Sequence, residues 1–106
     1  MVISAEVAEW LRVAPTKDAA KAQTVLGLLE AKGNAIDRKH SQSLGDGLFE
    51  LRFSVLDVAR RITYHFAANQ EIHVLTTFRK SRQNEEAEVH RARAAKVACE
   101  MEDATS

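Results

Sequence analysis

The chain has 106 residues, with 15 Lys and Arg against 15 Asp and Glu, four His, one Cys, one Pro and four Gly. This length suits one compact domain, residues 1–106, and excludes a multidomain enzyme, while a hydrophobic fraction of 45% excludes a disordered or collagen-like chain. A single cysteine, Cys99, excludes an intrachain disulfide and a multi-thiolate zinc site, and the absence of a signal core or membrane-length apolar run predicts a cytoplasmic protein with no membrane partner.

Val7, Trp10, Leu11 and Ala14 fall at helical spacing behind Ser4, an N-cap residue, and Pro15 ends that first helix. Trp10, Val7 and Leu11 read as core. Thr16 caps a second helix from Lys17 to about Lys32, in which Ala22, Val25, Leu26 and Leu29 repeat the spacing and Gly33 terminates it. The polar stretch from Asn34 to Gly47 reads as an exposed connection without regular structure. Beyond it the period changes to two. Leu48–Phe53, Arg60–Phe66 and Glu71–Arg79 read as strands, and the short loops between them predict an antiparallel meander. Asn84 caps a final helix reaching Cys99 or Met101, with Glu85, Glu86 and Glu88 at its positive end, and residues 102–106 are expected to fray. Cys99 reads as a small buried residue of that helix.

Neutral overall charge hides an asymmetry. Between Arg52 and Arg82 six basic residues stand against two acidic ones, and between Gln83 and Ser106 three stand against six. With the apolar strand faces packed on the two N-terminal helices, alternation brings Arg52, Arg61, Thr63, His65, Thr77 and Arg79 to the opposite face. Like charges facing one another across strands repel, so such a collection points to an anion, with Glu50 neutralising part of it. Tyr64 alternates with Ile62 toward the core and reads as packing. His40 and His73 have no partners that the sequence names and stand outside the site. There is no phosphate-binding glycine loop, no nucleophile elbow, no His pair spaced for zinc, and too few strand carboxylates for a two-metal nuclease.

The run Gly47-Leu48-Phe49-Glu50-Leu51-Arg52, then Arg61-Ile62-Thr63-Tyr64, Phe78-Arg79-Lys80 and Glu88-Val89-His90-Arg91-Ala92 resembles the RelE/ParE superfamily of bacterial toxins, more closely its HigB-type branch with phage-derived relatives. The resemblance covers about Glu6 to Met101. It implies a RelE-like α+β fold, with two N-terminal helices on a small antiparallel sheet of three to four strands and a C-terminal helix. Relatives open with a full strand, so Val2 and Ile3 are expected as a stub of it, or as the remainder of a start lying further upstream.

The resemblance further implies the toxin of a type II toxin-antitoxin pair, an endonuclease that cuts mRNA in the ribosomal A site and needs no metal or other cofactor. Its implied partners are a cognate antitoxin, the ribosome and mRNA, with operator DNA reached only through the antitoxin. Attack of an RNA 2′-hydroxyl on its own phosphate needs a base, charge stabilisation and an acid. By correspondence with the family, Arg61 and Arg79 stabilise charge, Arg52 and Lys80 bind phosphate, and His90 is the first candidate for proton transfer; Arg82, beyond the last strand, joins the phosphate contacts, and His65 is the second candidate because alternation puts it on the basic face. The alternatives are a non-enzymatic ParE-like inhibitor of gyrase and an inactive toxin homologue acting as an antitoxin-binding module.

Overall fold

A computed structural model describes residues 1–105, with side chains for residues 1–102. In chain order it has β1 (Val2–Ile3), α1 (Ala5–Val13), α2 (Thr16–Lys32), a 3-10 turn (Gly33–Ala35), β2 (Ser41–Gly45), β3 (Leu48–Val55), β4 (Val58–Phe66), β5 (Ile72–Arg79) and α3 (Glu85–Thr105). The strands form one five-stranded sheet in the order β1-β5-β4-β3-β2, in which β1 runs parallel to β5 and every other pair is antiparallel. The expected antiparallel sheet of three to four strands is therefore corrected to a mixed sheet of five. Both additional strands lie at the sheet's edges.

The added β2 arises where no regular structure is expected. Ser41-Gln42-Ser43 has little strand propensity of its own, but it pairs with Phe49–Leu51 of β3, and Asp46 and Gly47 make the turn with positive φ at both positions, as a type I′ hairpin requires. The next hairpin uses the same backbone with less suitable residues. Leu56 and Asp57 join Val55 to Val58 with φ of 49° and 66°, and Leu56 is 79% exposed. The stub β1 is fixed by Ser4, whose hydroxyl accepts from Val7 N–H at 3.2 Å as the N-cap of α1 and donates to Leu75 O at 2.7 Å across to β5.

Helix α1 ends before Pro15 and α2 before Gly33, whose φ of +53° closes the helix. Their buried residues Val7, Ala22, Val25, Leu26 and Leu29 pack on Leu51, Phe53, Ile62, Tyr64, Ile72 and Val74 of the sheet. This is the main core. Tyr64 is buried in it, as its alternation predicts, and its hydroxyl meets Ser41 Oγ at 2.5 Å. The other face carries a smaller cluster, in which Leu48 and Leu75 meet Ala92 of α3, with Leu44, Ala95 and Cys99 around them.

Helix α3 runs to Thr105, past the expected end at Cys99 or Met101, so residues 102–105 of the expected frayed tail are helical and residue 106 lies outside the described residues. The Asn84 carbonyl accepts the Glu88 N–H, while its side chain turns back to accept from Ser81 N–H and donate to Arg79 O. No helix among the described residues is long and apolar enough to cross a membrane.

Candidate functional site

Two features redraw the expected basic face. The first is α3, which packs over β3, β4 and β5 and buries Thr63, His65 and Thr76 beneath it. The second is a bulge in β5. Tyr64 pairs with Val74 but Thr63 pairs with Thr76, so Leu75 is an extra residue and the alternation of everything after it reverses. Phe78 consequently shares a face with Arg61, whereas Thr77 and Arg79 join the face of Ile62 and Arg60. Arg60 itself lies over the Trp10 ring at 4.1 Å.

What remains of the arginine convergence is a smaller constellation at the end of the sheet beyond α3. Arg52 and Arg61 are directly opposed on β3 and β4, and the buried Glu50 carboxylate lies between them, 3.6 Å from Arg61 Nε and 3.9 Å from Arg52 Nε. Burial raises the pKa of Glu50, against the pull of Arg61, Arg52 and Lys80. Burial likewise lowers that of Arg61, with Glu50 opposing. Arg61 Nη1 donates to Arg60 O at 3.1 Å, while neither its Nε nor Glu50 Oε2 has a hydrogen-bond partner. Arg52 is half-exposed and donates to Gln42 Oε1 at 2.8 Å.

These two arginines open onto a groove of about 410 Å³ that the sequence does not announce. Its lining is Lys21, Lys39, His40, Arg52, Phe53, Ser54, Ala59 and Arg61, with no carboxylate among them. A second depression of about 460 Å³ shares Arg52 and adds Arg38, Ser41, Gln42 and Ser43. The groove forms because β2 starts only at Ser41, which leaves the far end of β3 uncovered, and Arg52 N–H donates to His40 O at 2.8 Å to fix the approaching chain there. Cations from α2, from the segment before β2 and from two strands then face one space.

His40 is the group in this groove that can move a proton. Asp37 Oδ1 lies 2.9 Å from its Nδ1 and also accepts its backbone N–H at 3.0 Å, and this contact lowers the Asp37 pKa. A carboxylate only accepts, so Nδ1 carries the hydrogen and Nε2 is left as a base. The signal available in the sequence is Asp37-x-x-His40, a side chain three residues ahead of a histidine.

The remaining expected residues are dispersed. Lys80 acts on Glu50 electrostatically and its N–H donates to Ala59 O at 2.9 Å, which places it at the groove end of the sheet. Arg79 and Arg82 are exposed on either side of it. His90 is exposed on α3, roughly 140° around the helix from Glu85. His65 is buried four residues along β4 from Arg61, about 13 Å away, with Nε2 3.4 Å from Cys99 Sγ.

A family model matches residues 9–98, that of the phage-derived protein Gp49-like (DUF891). Comparison with curated proteins finds no match, and comparison with solved structures finds none.

Proposed function

Because the chain belongs to the phage-derived Gp49-like family, a RelE/toxin-like group, we propose that it is the toxin of a type II toxin-antitoxin pair, of HigB-like type, cutting ribosome-bound mRNA without a metal. The observation that carries the reading is the carboxylate-free groove in which Arg52 and Arg61 stand with Lys21, Lys39 and an Asp37-oriented His40. An arginine pair grips the non-bridging oxygens of one phosphate and compensates the charge that builds up on it. His40 Nε2 takes the 2′ proton. The 2′-oxygen then bonds to phosphorus, the bond from phosphorus to the 5′-oxygen breaks, and the products are a 2′,3′-cyclic phosphate and a 5′-hydroxyl once the leaving oxygen is protonated. Lys80 and Arg82 extend the cationic path beyond the groove, while Arg79 lies on the other face of the sheet and His90 stands further along α3. A cognate antitoxin would neutralise this toxin by laying acidic groups into the same groove.

The test is primer-extension mapping of a translated mRNA incubated with the protein, with and without ribosomes, EDTA being present in the ribosome-free control. Cuts within codons that appear only with ribosomes are expected. His40→Gln should slow them by ~10²-fold or more, as loss of a proton-transfer group does, and Arg52→Ala should weaken cleavage further along the same path. Cleavage undiminished in His40→Gln would remove the base assigned here. Absence of cuts in every lane would turn the reading to a gyrase inhibitor or an antitoxin-binding module.

A further inference from the structure

The second face of the sheet holds a group of side chains that the proposed RNA chemistry does not use. His65 and His73 are directly opposed on β4 and β5, with ring centroids 5.5 Å apart, and Cys99 lies over both from α3. The Cys99 sulfur is 3.4 Å from His65 Nε2 and 3.2 Å from His73 Nδ1, and the three ligand atoms all lie within 4.8 Å of one another. We infer that His65, His73 and Cys99 form a zinc site between the sheet and α3.

The geometry and the chemistry of the donors agree with this. Zinc bonds of about 2.3 Å to sulfur and 2.0–2.1 Å to nitrogen, set tetrahedrally, separate the ligand atoms by about 3.3–3.6 Å. Both sulfur-nitrogen edges already have that length to within a few tenths of an ångström, and rotation of the His73 ring closes the third. Imidazole and thiolate together select zinc over magnesium or calcium, which take oxygen donors. With Nδ1 of His73 on the metal, its Nε2 lies 3.5 Å from Glu71 Oε1, the carboxylate-histidine-metal arrangement that orients a ligand ring.

The fourth position opens into a cavity of about 350 Å³, and Glu102, three residues beyond Cys99 on α3, lines that cavity with both His73 and Cys99. A residue at i+3 lies on the same side of a helix, so Glu102 is the carboxylate at this cavity, and the fourth position is open to it or to water. On binding, the Cys99 thiol gives its proton to solvent and the thiolate takes the metal. The bond ties the last turns of α3 to two strands. No zinc spacing exists in the sequence because residues 65, 73 and 99 meet only through strand pairing and helix packing.

The site is tested on untagged, reduced full-length protein, first stripped with EDTA, then titrated with Co²⁺ and afterwards with Zn²⁺. One cobalt per chain should bind with a thiolate charge-transfer band in the near ultraviolet and tetrahedral bands in the visible, and zinc should bleach both. Cys99→Ser should lose the charge-transfer band, and His73→Gln, whose side chain is only 14% exposed in the wild type, should weaken zinc binding by at least ~10-fold. Circular dichroism in EDTA checks that each variant is folded, and the zinc-induced rise in Tm should be lost in both. Absence of the cobalt bands in the folded wild type overturns the assignment, as does zinc affinity or a zinc-induced Tm rise that is equal in all three proteins. None of these readouts depends on RNA cleavage.

Discussion

Glu50 has the least comfortable position of any side chain in the groove region. It is 2% exposed, its Oε2 accepts no hydrogen bond, and burial raises its pKa although two arginines stand beside it. A raised pKa means that the folded state favours the protonated carboxyl. The corresponding stability is present in full below the unfolded pKa and is lost as the pH rises through the folded one. Glu50→Gln mimics the protonated group, so at pH 7 it should unfold at equal or higher denaturant concentration than wild type. That difference should vanish as the pH is lowered through the raised pKa, and equilibrium urea unfolding across that range checks it. The same substitution takes a negative charge away from Arg52 and Arg61, behind the groove's lining, and should tighten binding of a short RNA oligonucleotide. Glu50 thus costs stability where it orients Arg61 and Arg52. His40 is the other residue that sequence reasoning passes over, because its partner Asp37 and its cationic neighbours belong to segments with no regular pattern of their own.

At the level of elements, the hairpin between β3 and β4 should be improvable. Leu56 adopts φ of +49° with nothing in the core to hold it there, and a branched side chain in the left-handed region costs about 1–2 kcal/mol. Replacing Leu56-Asp57 by Asn-Gly, the pair that suits a type I′ turn, should raise stability by about 1 kcal/mol, read as an increase in Tm. An unchanged or lower Tm would show that the tip is held by contacts other than its backbone. Helices α1 and α2 and the strands β3 to β5 are legible, since each carries its apolar period in its own residues, and α3 is legible from its cap and its first-turn glutamates. Two further features are not. β2 is polar and exists through its partner strand, and the bulge at Leu75 sits inside an unbroken β-branched and apolar run where a shift of face leaves no mark, whereas the stub β1 at Val2 and Ile3 is what the family resemblance implies. That bulge is why Arg79 was expected beside Arg61 and instead lies on the other face.

Over the whole molecule, zero net charge gives an anion no long-range attraction, so the RNA binding proposed above would depend on the few cations that converge at short range. Four permanent cations line the groove, Lys21, Lys39, Arg52 and Arg61. Binding to single-stranded RNA should therefore show a log K against log salt slope of about −3, and Arg52→Ala should make it shallower by about 0.7. A much steeper slope would mean that the exposed Arg79, Lys80 and Arg82 segment carries the contact instead. The groove as a whole could not be foreseen from the local charge balance. The stretch from Arg52 to Arg82 supplies two of its cations, and the other two come from α2 and the segment before β2.

The parallel strand at the sheet's edge also fixes when this molecule can be completed during synthesis. Ser4 holds Leu75, and Glu6 accepts the N–H of Thr77, across a separation of 71 residues, while Glu6 meets Arg91 across 85. No shorter stretch of chain can close those contacts, and closing so long a loop carries its entropy cost before any return. These contacts of Ser4 and Glu6 therefore wait until β5 and the first turns of α3 have left the ribosome. Lys21, Lys39, His40, Arg52 and Arg61 are all made before that moment, so the groove's residues exist in the nascent chain well ahead of the sheet that holds them in place.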